Sequence, residues 1–189
     1  MASNCNAECE AVIPNLAPCG GVSMTSAAVD CNPCAEANCC DQLSASGESY
    51  DWYARRNCIA QCDDGDDACI QACTEAYPNG LALDLWLTSC TQTSCAVECE
   101  VDPAPVCGNP YLGDPAESCP VCVEANCCAE EQACWSSLAC LQNGICSELC
   151  EGDASCLAAC DTEHAAGVAL SDADDACVDT NCATECAGM

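Results

Sequence analysis

Cys31 with Cys34, and Cys119 with Cys122, form C-x-x-C pairs, a spacing that serves zinc ligation, thiol–disulfide exchange or structural bridging. Redox exchange needs one reactive pair in a strand-then-helix setting, whereas each pair here is embedded in the run C-x2-C-x4-CC. Zinc thiolates fit the spacing, but oxidation competes with them. With 28 cysteines in 189 residues, an even count, structural disulfides are the expected chemistry. No C-x-C pair occurs, and the intervening residues are Ala, Leu, Val and Ile, which suit a packed domain better than a metal cluster.

Other chemistry finds little to work with. His164 is the single histidine, its counterpart in the repeat described below is Tyr77, and no basic side chain accompanies it. A nucleophile needs a base and an orienting group in reach, so no catalytic residue is expected and the chain reads as a non-enzyme. The acidic turn Asp63, Asp64, Asp66 and Asp67 is the best calcium candidate, although it is shorter than an EF-hand loop and lacks the closing glutamate. Its counterpart keeps only Glu151 and Asp153, and capping of a helix at a tight turn explains both. No cofactor is expected beyond such a cation.

The charge balance excludes whole classes of partner. Asp and Glu total 31 against Arg55 and Arg56 alone, a net charge of −29, so nucleic acid is not a partner. Divalent cations remain possible partners of so acidic a surface. No stretch is apolar enough to span a membrane, and MASNCNAECE is not an export signal. Since disulfides require an oxidising compartment, the expectation is a secreted or cell-surface protein whose export signal has been removed.

The elements that must position these cysteines come in two copies. Cys19, Cys31, Cys34, Cys39, Cys40, Cys58 and Cys62 fall in register with Cys107, Cys119, Cys122, Cys127, Cys128, Cys146 and Cys150. After a one-residue deletion, Cys69, Cys73, Cys90, Cys95 and Cys99 fall on Cys156, Cys160, Cys177, Cys182 and Cys186. EANCC recurs as well. The chain thus divides into a partial repeat at 1–18, a unit at 19–99, a proline joint at 100–106 and a second unit at 107–189. Units this small bury little and need staples.

The fold class expected is all-α, a disulfide-rich tandem repeat of two units with about four helices each. Asn32 as cap and Pro33 in the first turn predict a helix through 35–43. Helices over 51–62 and 66–77 follow, the second closed by Pro78, Asn79 and Gly80. The last helix, 83–99, places Leu83, Trp86, Leu87 and Cys90 on one stripe, and its second copy is read as starting at a Ser171 cap. Folding the central pair into a hairpin joins Cys58 to Cys73 and Cys62 to Cys69, with Cys146–Cys160 and Cys150–Cys156 as the second copy. Cys134 and Cys140 occur only in the second unit and most simply bond to each other.

The C-x3-C…C-x3-C hairpins resemble the alpha-hairpinin arrangement. The longer pattern, CPVCVEANCC through GVAL to CVDTNCATEC, resembles uncharacterised cysteine-rich secreted proteins and lipoproteins of myxobacteria and their relatives. That resemblance implies a bacterial envelope or extracellular address and no particular activity.

Two function classes are compatible with such a frame: a structural protein of the matrix or surface, polymerised head to tail as a filament, and a monomeric secreted binding module. Repeats that stack within a chain can stack between chains, which favours the first. Cys5 and Cys9 copy the end motif of a unit, Cys95 with Cys99 or Cys182 with Cys186. The expected contact lays Val12, Ile13 and Leu16 beside the helix that carries Cys182 and Cys186 in a neighbouring subunit, with Cys5 or Cys9 as a covalent lock.

Overall fold

The structure, a computed structural model, describes residues 19, 30–101, 107, 109 and 118–187. Among them the protein is all-α and built as two lobes that roughly repeat each other. The first lobe holds α1 (Cys31–Asn38), α2 (Cys40–Glu48), α3 (Tyr50–Ile59), α4 (Asp67–Ala76), α5 (Pro78–Ser94) and α6 (Ala96–Cys99). The second holds α7 (Ser118–Asn126), α8 (Cys128–Trp135), α9 (Leu138–Leu149), α10 (Ala154–Glu163) and α11 (Ala165–Asn181). Among the described residues the lobes therefore carry six and five helices rather than four each.

Side-chain caps set several of the starts. Ser49 Oγ accepts from Trp52 N at 3.3 Å, Asp66 Oδ1 from Cys69 N at 3.0 Å and Ser137 Oγ from Cys140 N at 3.4 Å, each satisfying an otherwise orphan amide. Other sequence expectations are corrected. The first helix begins at Cys31, ahead of Asn32, and breaks at Cys39, whose φ of −122° and ψ of 32° leave the helical region. Adjacent Cys39 and Cys40 thereby reach different partners, Cys90 and Cys19.

α4 does end at Ala76, just ahead of Pro78, but Pro78 and Gly80 belong to the helix that follows and not to a loop. Pro78 occupies the first position of α5, where its missing amide costs nothing, and Gly80 lies inside the helix. A Cβ on Gly80 would stand 2.4 Å from the backbone oxygen of Asp51, and one on Gly167 of α11 would stand 2.1 Å from that of Ala139. Each long helix thus crosses its neighbour, α3 or α9, with the backbones almost touching. For the same reason α11 runs on from Ala165 and Ser171 falls within it, not at its cap.

Among the described residues every bridge closes within its own lobe. In the first, Cys31–Cys99, Cys34–Cys95 and Cys39–Cys90 tie α1 and its end to α5 and α6, while Cys19–Cys40 tethers the preceding segment. Cys119–Cys186, Cys122–Cys182, Cys127–Cys177 and Cys107–Cys128 repeat that pattern. The apolar cores differ between lobes. Leu43, Trp52, Leu83 and Leu87 fill the first, whereas the second is built mainly of half-cystines around Val123.

A third cluster joins the lobes. Ala82 and Leu85 of α5 pack on Leu141 and Ile145 of α9, with Leu81, Trp86, Trp135 and Leu138 around them. Trp86 Nε1 donates to the carbonyl of Ser136 at 2.8 Å, and Gln142 Nε2 donates to Asn79 Oδ1 at 2.5 Å. No helix among the described residues is long and apolar enough to cross a membrane.

Candidate functional site

The hairpin cysteines lie one turn apart on facing helices, and the structure joins Cys58 to Cys73, Cys62 to Cys69, Cys146 to Cys160 and Cys150 to Cys156. Cys134 is bonded to Cys140. Stacked bridges bring Cys62, Cys69 and Cys73 within 4.8 Å of one another, as they do Cys150, Cys156 and Cys160. That spacing would suit a metal ion, but zinc is held by thiolates, and all six sulfurs are spent in disulfides. The contacts of 3.9 Å between Cys62 and Cys73 and of 3.5 Å between Cys150 and Cys160 are sulfur–sulfur packing, since neither sulfur carries a hydrogen.

In the acidic turn, Asp66 spends Oδ1 on the α4 cap. Among the described residues, the two cysteine groups are the sets of three ligands within 4.8 Å, and Asp63, Asp64, Asp66 and Asp67 form none. The counterpart Asp153 caps α10 more fully. Ser155 Oγ at 2.7 Å and Cys156 N at 2.8 Å donate to it, and these bonds hold its carboxyl below the usual carboxylate range. His164 is half-buried between α10 and α11.

Cys182 and Cys186 are bonded to Cys122 and Cys119, so a covalent lock from a neighbour cannot use them. Cys5, Cys9, Val12, Ile13 and Leu16 lie outside the described residues. The joint between lobes is heterologous: a face of α5 meets a face of α9, and in the repeat α5 corresponds to α11 and α9 to α3. The corresponding positions lie largely at the surface, although Val168 is half-buried. On α3 the positions of Leu138, Leu141 and Ile145 are taken by Tyr50, Tyr53 and Asn57, all exposed. On α11 the positions of Leu81, Ala82 and Leu85 are taken by Val168, Ala169 and Asp172.

The sequence reading missed a pair of acids. Glu131 is 4% exposed, and its Oε1 accepts from Trp135 Nε1 at 2.9 Å and Asn109 Nδ2 at 2.5 Å. Asp174 on α11 sets its carboxyl against Glu131 and buries Oδ1 without a hydrogen-bond partner. Their counterparts in the first lobe are Leu43 and Leu87, both in its core. The register comparison could have exposed them, because acids standing where the other copy has core leucines are not ordinary surface charge.

The chain matches no protein-family model, curated protein or solved structure. The acid pair must therefore be interpreted from its own physics. Burial first, then the hydrogen bond and charge of Glu131, push the Asp174 carboxyl up to about 8. Burial, followed by the charges of Asp179, Asp172 and Glu131, raises that of Asp175. A carboxyl buried against another carboxylate ionises reluctantly, so Asp174 keeps its proton to higher pH than a free side chain does.

In the unfolded chain Asp174 returns toward 3.8, so protonation favours the folded state. This contribution is complete below the unfolded value and is lost as pH rises through the folded one. The melting temperature should rise as pH is lowered from about 9 to about 5, and Asp174→Asn should flatten that slope. Equal slopes in the two proteins would show that no proton is held there.

Proposed function

We propose that this chain is an extracellular structural protein whose subunits associate head to tail into a filament or matrix. One observation supports the reading: the joint between the lobes pairs unlike faces, and among the described residues the corresponding positions on α3 and α11 lie largely at the surface. A heterologous joint repeated between molecules extends without limit unless its rotation closes a ring. Tyr50, 77% exposed, and Tyr53, 46% exposed, would lie on the Val168, Ala169 and Ala173 surface of the next subunit, in the place of the internal leucines. The thirteen bridges among the described residues support an oxidising, extracellular address, as does the resemblance to secreted myxobacterial proteins.

A monomeric binding module is the second reading, and the centres of the two outer faces favour it. Leu85 and Ile145 meet in the internal joint, but their outer counterparts are Asp172 and Asn57, the polar substitution that caps a repeat array. Light scattering and electron microscopy of the oxidised chain separate the readings. Assembly should strengthen with salt or millimolar calcium, which screen a net charge of −29. Tyr53→Glu, facing Asp172, should return the protein to monomers. A wild type that stays monomeric at high concentration and high salt overturns the structural reading.

A further inference from the structure

A groove of about 520 Å³ opens beside the joint, between α5, α8, α9 and α11. Its walls are apolar, with Leu81, Leu85, Leu141, Ile145 and Trp135, and Glu131 and Asp174 are also among its lining residues. The first lobe shows what the same fold does when this space is filled. There Trp52 is buried against Leu43, Leu83 and Leu87, and Arg56 stacks on its ring at 4.7 Å. Asp84 accepts from Trp52 Nε1 at 2.6 Å, is bound by Arg55 and lies 3.7 Å from Arg56.

In the second lobe several of those fillers are smaller. Cys140 stands in the place of Trp52, Gly144 in that of Arg56 and Ser171 in that of Asp84, and all three line the groove. At the same time two core leucines have become Glu131 and Asp174. One copy of the fold thus contains an aromatic ring and a guanidinium held by a carboxylate. The other carries its ring elsewhere, as Trp135 on α8, where the first lobe has Gly47, and it has lost the cation and gained carboxyls.

We propose that the groove is a binding site for a small ligand with a cationic head and a flat apolar body, an arylalkylammonium or arylalkylguanidinium. The ammonium would sit between Glu131 and the unpartnered Oδ1 of Asp174, and the aromatic body against Leu85, Trp135, Leu141 and Ile145. A divalent cation fits less well, because calcium takes six to eight oxygens and the groove wall offers mainly carbon. The field of a chain at −29 concentrates cations near the site. The site lies within one molecule, so it does not depend on assembly.

Binding of a cation would displace the proton of Asp174. Glu130 and Glu131 on α8, Glu148 on α9 and Asp172 and Asp175 on α11 are the other acids around it; among the described residues of the second lobe there is no Lys or Arg. Affinity should therefore rise with pH through about 8, and heats measured in buffers of different ionisation enthalpy should reveal proton release.

The test uses tryptamine as probe, titrated calorimetrically into the oxidised full chain, with indole-3-acetate as the anionic control. One tryptamine should bind per chain and indole-3-acetate should not. Asp174→Leu, which installs the first lobe's residue, should weaken tryptamine by about tenfold or more, the worth of a charge-assisted hydrogen bond. Gly144→Arg, at a position where an added Cβ meets nothing within 4 Å, should fill the groove with its own guanidinium and block the probe without unfolding the lobe. Equal binding of the two indoles, tryptamine binding unchanged in both variants, or protection by calcium but not by tryptamine would each overturn the proposal.

Discussion

Complete reduction should unfold both lobes and abolish most of the helical circular dichroism at room temperature. Apart from the 17-residue α5 and α11, the described helices run from 4 to 12 residues, at or below the length at which an isolated helix persists in water. The cores that could hold them together are small, and that of the second lobe consists largely of the sulfurs that reduction would free. A net charge of −29 then expands the released chain. Chain-entropy arguments assign about 4 kcal/mol to a loop as long as that closed by Cys31–Cys99, which spans 68 positions, although such terms do not simply add. The check is circular dichroism under reductant, with thiol titration to show that reduction is complete. Helicity retained after full reduction would mean that apolar packing suffices.

Gly80→Ala and Gly167→Ala should each destabilise the protein by about 1–3 kcal/mol or more, toward the upper end for overpacked sites. The atoms in the way belong to backbone: Asp51 O at 2.4 Å in one lobe, and Ala139 O at 2.1 Å with Cys140 N at 2.7 Å in the other. They cannot rotate aside as a side chain would. The long helix must instead slide or tilt, which pulls on Cys39–Cys90 or Cys127–Cys177 and opens the joint. Gly144→Ala is the control. It lies in α9 with open space around it, and a helix-interior alanine there should be neutral or stabilising by up to about 1 kcal/mol. Thermal melting under oxidising conditions measures all three. Indistinguishable melting temperatures would show that the helices separate without cost.

Some of this architecture was legible in the residues because its physics is local. Cys58 and Cys62 lie one helical turn apart, face Cys69 and Cys73 across a short turn, and have few other partners in reach. The wider bridges, such as Cys34–Cys95 and Cys122–Cys182, were not legible, since spacing alone permits many pairings among so many cysteines. Pro78 and Gly80 marked the end of α4 but hid the start of α5, for a related reason. Both are stop signals locally, but proline also suits a first helical turn, and this glycine answers to a neighbouring helix distant in sequence. The apolar stripe of Leu83 and Leu87 pointed to the lobe's own core, while Ala82 and Leu85 on the other side of α5 gave no comparable sign of the second lobe. Glu131 and Asp174 were hidden by abundance, being two acids among 31.

The confinement of each described bridge to one lobe bears on how the chain can be made. On the extracellular reading proposed above, a segment that emerges first during export can oxidise only with cysteines already outside. The last partners of the first lobe, Cys95 and Cys99, are exposed before any cysteine of the second lobe follows. The first lobe can therefore finish its six pairings while the second is still being delivered, and the second inherits a problem of seven pairs. Synthesis order thus divides one very large combinatorial search into two small ones. A chain in which bridges crossed between lobes would have had to hold half-finished sulfurs open until its end arrived.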